Sequence, residues 1–160
     1  MIALPDWYEG GFPDREHVVM DLLQPFLDLV TPRVQAVSWL PDKYGDHLPI
    51  VRVYRGGGGT DEEGRADNAA IQIAVIGRTR KESWALMEYC RQMMLSYEHG
   101  GGILREDGST TLVDPISEMV GPQQIPELNP DFRLVQLTFR VPCRRPKSTP
   151  DYARIREQLQ

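Results

Sequence analysis

Four consecutive glycines, Gly56 to Gly59, stand between two runs of β-branched residues in "VYRGGGGTDEEGRADNAAIQIAVIG", residues 53–77. In "IVRVYR", residues 50–55, Val51 and Val53 alternate with Arg52 and Tyr54; in "AAIQIAVIG", Ile71, Ile73 and Val75 alternate with Ala70, Gln72 and Ala74. A period of two on both sides predicts two strands with one buried face each, the second carrying small and polar side chains outward. Joined directly, such strands make a hairpin.

A glycine run can instead cradle a phosphate. That requires a strand, the spacing GxxxxGK[ST], and a helix whose first N–H groups meet the ligand. Here no lysine stands at the required place, Asp61, Glu62 and Glu63 occupy the phosphate's position, and a strand follows. The dinucleotide fingerprint fails as well, because Asp61 replaces its third glycine. The run therefore predicts the flexible tip of a long hairpin, with Gly56, Gly57, Gly58 and Gly59 at its base and Asp61, Glu62 and Glu63 at its crest. Loops of about a dozen residues are more often functional or disordered than idle. These residues are the candidate channel-lining or partner-binding loop, against the plain reading of a tolerated loop and a solvated charge cluster.

Two helices frame this hairpin. Val18, Val19, Leu22, Leu23, Phe26, Leu27 and Val30 repeat at helical spacing and predict a helix over 14–30, capped by Asp14, kinked or divided at Pro25 and ended by Pro32. Thr79 and Glu82 form a capping box for a second helix running to about Tyr97, stopped by the glycines of "HGGG" at 99–102. A short strand is expected at 33–40. Residues 103–131 read as a proline- and glycine-punctuated connection with a short strand near Thr110 to Val113. The alternation of Val135, Leu137, Phe139 and Val141 predicts a last strand over 133–141, ended by Pro142. Short connections from Arg33 to Gly77 favour an antiparallel meander. The fold class is α+β: a mostly antiparallel sheet of four or five strands with both main helices on one face.

The chain of 160 residues fits one domain, taken as 1–142 with an N-terminal aromatic segment at 1–13. The basic, polar remainder, 143–160, has too few apolar residues to pack and is expected to be a mobile arm. Trp7, Tyr8 and Phe12 seldom stay exposed, so their segment should dock on its own core or on a neighbouring subunit. Arg144 and Arg145 join them as candidate subunit contacts. The two cysteines, Cys90 and Cys143, form no CxxC pair and are read as reduced thiols. The start lacks a secretory signal and no apolar run is long enough to span a bilayer, which predicts a cytoplasmic site of synthesis and no membrane role. A net charge of −5 disfavours gripping nucleic acid.

Catalytic motifs are weak. "HGGG" resembles an oxyanion-hole string, but no GxSxG elbow accompanies it. His17, His47 and His99 have none of the short spacings of a metal site. Glu62 and Glu63 sit on a glycine-rich loop, where rigid acid/base positioning is hardest.

With "FPDREHVVMDLLQPFL", "LPIVRVYRGGGG", "DNAAIQIAVIGRTRKESWALMEYCRQMML" and the late alternating strand in this order, the chain resembles small neck and tail proteins of long-tailed (siphovirus) bacteriophages. It is most similar in pattern to the tail terminator proteins of actinobacteriophages, over about residues 12–142. The resemblance implies a structural virion protein without cofactor or reaction, assembled in the host cytoplasm. Its subunits would form a sixfold ring that caps the tail tube, ends its elongation and meets the head connector. Implied partners are the chain itself, the tail tube protein and head-tail connector proteins, with DNA only as passing cargo. The alternatives are a head-tail connector or tail-completion protein of the neck, a small metal-dependent hydrolase, and a cellular binding module.

Overall fold

A computed structural model describes residues 2–124, 133–147 and 149–160. Helix α1 (Arg15–Leu27) begins where the Asp14 side chain accepts from the Glu16 N–H at 3.0 Å. Val18, Val19, Leu22, Leu23 and Leu27 are its buried residues of apolar type. Pro25 lies inside the last turn and leaves the Asp21 carbonyl without its i+4 donor, yet the helix runs through it undivided and stops two residues later at Leu27. Gln24 then ties the following chain to the helix, donating to the Val34 carbonyl and accepting from the Ala36 N–H at 2.9 Å.

That tether positions β1 (Gln35–Val37) beside β2 (Ile50–Thr60), and the two pair in parallel. The expected meander is corrected here. Residues 38–49 give the chain the roughly dozen residues that a parallel return needs. Strand β3 (Ala66–Ile76) pairs antiparallel with β2 as far out as Thr60↔Asp67, and β7 (Leu134–Arg144) follows β3 along its whole length, from Ile76↔Leu134 to Ala66↔Arg144. With β6 (Ser117–Gln124) on the other edge, the five-stranded sheet has the order β1-β2-β3-β7-β6. Strands β4 (Gly101–Leu104) and β5 (Thr110–Val113) make a separate two-stranded sheet. Of the predicted connection, residues 103–124 thus hold the second half of β4 and all of β5 and β6, while 125–131 lie outside the described residues.

Helix α2 (Arg80–Leu95) starts at Thr79, whose hydroxyl accepts from the Glu82 N–H at 3.1 Å. The return arm of the box reaches one residue further back: the Glu82 carboxylate accepts from the N–H and the guanidinium of Arg78. The "HGGG" segment does more than end this helix. Gly100 takes φ +76° and Gly101 opens β4. Val51 and Val53 of β2, Ile71, Ile73 and Val75 of β3, and Val135 to Val141 at alternate positions of β7 form one buried cluster with both helices. Both helices therefore cover one face, as the alternation predicts, in an α+β layered fold.

Strand β7 does not end at Pro142. The Pro142 carbonyl accepts from the Asp114 N–H at 3.0 Å, on the side away from β3. In an antiparallel ladder N–H and C=O of one residue point to the same side, so the N–H that proline lacks is not one that β3 needs. After it, α3 (Tyr152–Gln158) gives the C-terminal segment a short helix capped by Asp151.

Candidate assembly surfaces

The glycine run is strand rather than tip. Gly57, Gly58 and Gly59 pair with Ala70, Ala69 and Asn68, and only residues 61–65 turn the chain. A bulge between Arg55 and Gly57 shifts the register, and Gly58 at φ +84° then passes so near β3 that a Cβ would stand 2.1 Å from the Asn68 carbonyl oxygen. Only glycine fits that approach. At the turn, Asp61 donates its N–H to Ala66 and accepts the Arg65 N–H on its carboxylate, while Glu63 pairs with Arg65 at 2.8 Å. Glu62 is exposed and makes no such contact among the described residues.

The hairpin is locked at its turn end, where β3 is still buried. Asp67 continues the helix-facing row of β3, yet it is a carboxylate whose side chain is 6% exposed. Arg15 of α1 donates to it at 2.9 Å, and Arg55 of β2 grips both oxygens at 2.9 and 2.8 Å. Burial pushes the Asp67 carboxyl up, but the hydrogen bonds and charges of Arg55 and Arg15 outweigh it and hold the group below its ordinary range. The Glu16 carboxylate accepts from the Arg55 N–H at 2.8 Å at the bulge itself. Arg15 is fully buried beside the Cys143 thiol, and its Nε and Nη1 have no hydrogen-bond partner among the described residues. One helix thus fixes both strands of the hairpin.

Neither α1 nor α2 covers the other face of the sheet. Cross-strand rows run Arg52–Ala74–Gln136–Gln123 and Tyr54–Gln72–Thr138–Val120, with Ala70 beside Arg140. Arg52 lies over two rings, 4.5 Å from the centre of Tyr54 and 5.8 Å from that of Trp39. Trp39, on the connection after β1, is 79% exposed. Among the described residues neither Arg52 nor Arg140 has an ion pair, and the Arg52 Nε is buried without a hydrogen-bond partner. The one signal of this cluster in the sequence is Arg52 between Val51 and Val53, on the outward row of the strand.

The two ends of the chain meet. Tyr8 stacks on Tyr152 at 6.0 Å, Trp7 meets the same ring edge-on at 6.1 Å, and the Tyr152 hydroxyl donates to the Gly10 carbonyl at 2.6 Å. Arg145 lies over Tyr152 and donates its N–H to the Arg65 carbonyl, so the C-terminal segment abuts the hairpin turn. Arg144 pairs with Asp114 at 3.1 Å, and Phe12 is half-buried. Trp7, Tyr8, Ile155 and Leu159 line an apolar cleft that stays open.

His99 stands exposed beside Glu98, and His17 beside Asp14. Among the described residues no group of three His, Cys, Asp or Glu side chains could hold a metal ion, and no helix is long and apolar enough to cross a membrane. Burial pushes the Cys90 thiol up to about 12 and also raises Cys143. No curated protein matches the chain. A family model does, over residues 11–150, and its description is phage tail termination protein.

Proposed function

This chain belongs to the phage tail termination protein family, as a structural component of a bacteriophage tail, and on that premise we propose that it caps the tail tube as a closed ring. The family match over residues 11–150 carries the proposal, because it spans the hairpin, both main helices and β7. Subunits join head to tail into a homohexamer, stop elongation by covering the tube end, and turn the opposite face toward the head connector. They work through protein contacts and without turnover. Rings of this kind need two different surfaces on each subunit. The hairpin turn, the sheet face around Arg52 and the joined chain ends supply distinct ones. Subunits of net charge −5 would let DNA pass as cargo through the opening by repulsion.

The test is a tube-growth assay in which purified tail tube protein polymerises with and without this chain. Shortened tubes bearing a ring at one end are the expected result. A length distribution unaffected by excess protein, with bare ends, refutes the capping role.

A further inference from the structure

Arg52 is the cation best placed to receive a partner. Its guanidinium is already stacked on Tyr54 and Trp39 and has no carboxylate of its own. Tryptophan, tyrosine and arginine are the residue types that most often dominate binding energy at protein interfaces. Arg140 adds a second unpaired cation on the same face. A protein of net charge −5 that leaves two such cations on one face presents it to an acidic group.

The chain itself carries that group. Of the three carboxylates at the hairpin turn, Asp61 accepts from Arg65 and Glu63 pairs with Arg65, which leaves Glu62 exposed and unpaired among the described residues. Resting on the ring reading above, we propose that Glu62 at the hairpin turn of one copy docks on the Arg52–Trp39–Tyr54 cluster of the next. The two ends cannot meet within one chain. At about 3.3 Å per residue, β2 runs about 26 Å from Arg52 to its end at Thr60, and its pairing with β3, through one bulge, keeps the Glu62 turn at the far end from Arg52. Donor and receptor at opposite ends of one strand make a heterologous contact, the kind that closes into rings when the rotation allows.

The experiment compares the wild-type chain with Arg52→Glu, Glu62→Arg and the double variant by sedimentation velocity and negative-stain imaging, alone and with tube ends. Each single variant should raise the concentration for half-assembly about ten-fold or more, as a desolvated interface charge pair does, and the double variant should recover rings. Glu62→Arg changes only an exposed turn and decides the matter if Arg52→Glu fails to fold. Rings in Glu62→Arg at wild-type concentrations overturn the contact while leaving the ring reading intact. A wild-type chain that stays monomeric at every concentration, tube ends included, overturns both.

Discussion

Replacing Asp67 by Asn tests whether the hairpin is held by its buried charges. The carboxylate takes one hydrogen bond from Arg15 and two from Arg55, all at 2.8–2.9 Å. The amide keeps the shape but loses the charge and turns donors toward two guanidiniums. Arg15 is left charged at 0% exposure with two nitrogens already lacking partners. Removing one member of a buried pair costs about 3–5 kcal/mol, because the remaining charge is uncompensated. At about 2–4 °C per kcal/mol for a chain of this size, the melting temperature should fall about 6–20 °C. Urea unfolding at pH 7 should show an earlier midpoint with an unchanged slope. The pH dependence supplies an independent check. The folded-state pKa of Asp67 lies below its ordinary value of 3.8, so its contribution is complete above that value and is lost as the pH falls through the folded pKa. The difference between wild type and variant should therefore narrow on acidification below about pH 4. A loss under about 1 kcal/mol at pH 7, the size of an ordinary exposed pair, or a gap that stays constant into acid, refutes the lock.

Gly58→Ala should cost about 2 kcal/mol or more, because the new Cβ meets backbone at a left-handed φ; Gly56→Ala, whose Cβ would find its nearest atom at 3.6 Å, should cost little. Equal urea midpoints for the two variants would show that β2 does not pass β3 as described. The native thiols should stay inert to a disulfide reagent at pH 8 and react fully once the chain unfolds, since Cys90 is pushed up to about 12 and both cysteines are buried. Rapid labelling of the folded protein would refute that burial.

The parts of the fold that a local period encodes were legible. Both main helices, the hairpin strands, β5 and β7 each carry their pattern within a few consecutive residues, and the capping residues Asp14 and Thr79 act as their types predict. Parallel pairing of β1 was not legible, because it depends on a side chain of α1, Gln24, holding the chain at Val34 and Ala36. Strand β6, "SEMVGPQQ", hides for another reason. It pairs with β7 alone, slips register twice, and so tolerates the glycine and proline that read as a loop. At the candidate surfaces the same limit applies over longer distances. Asp67 reads as a loop acid until Arg15, far away in sequence, is seen beside it, and the Arg52 cluster needs Trp39 from an irregular connection. The chain ends, expected separately as an aromatic segment and a basic arm, meet through Tyr152 and Gly10.

Strand pairing through the glycines changes what the hairpin can do on meeting a neighbour. A free loop of that length would have to order its backbone on docking, at about 1–2 kcal/mol for each residue fixed, and little of the contact energy would remain. Here β2 pairs out to Thr60 and β7 supports β3 to the same level. The Arg15–Asp67–Arg55 lock anchors the hairpin to α1 at its outermost pair, Thr60↔Asp67, beside the turn. The ordering cost is met during folding, and the turn is presented at a fixed distance from the core. A rigid turn also sets the angle between successive copies, which a ring must hold constant to close. The glycines serve that rigidity: Gly58 lets the bulged strand lie against β3 where any side chain would force the two apart.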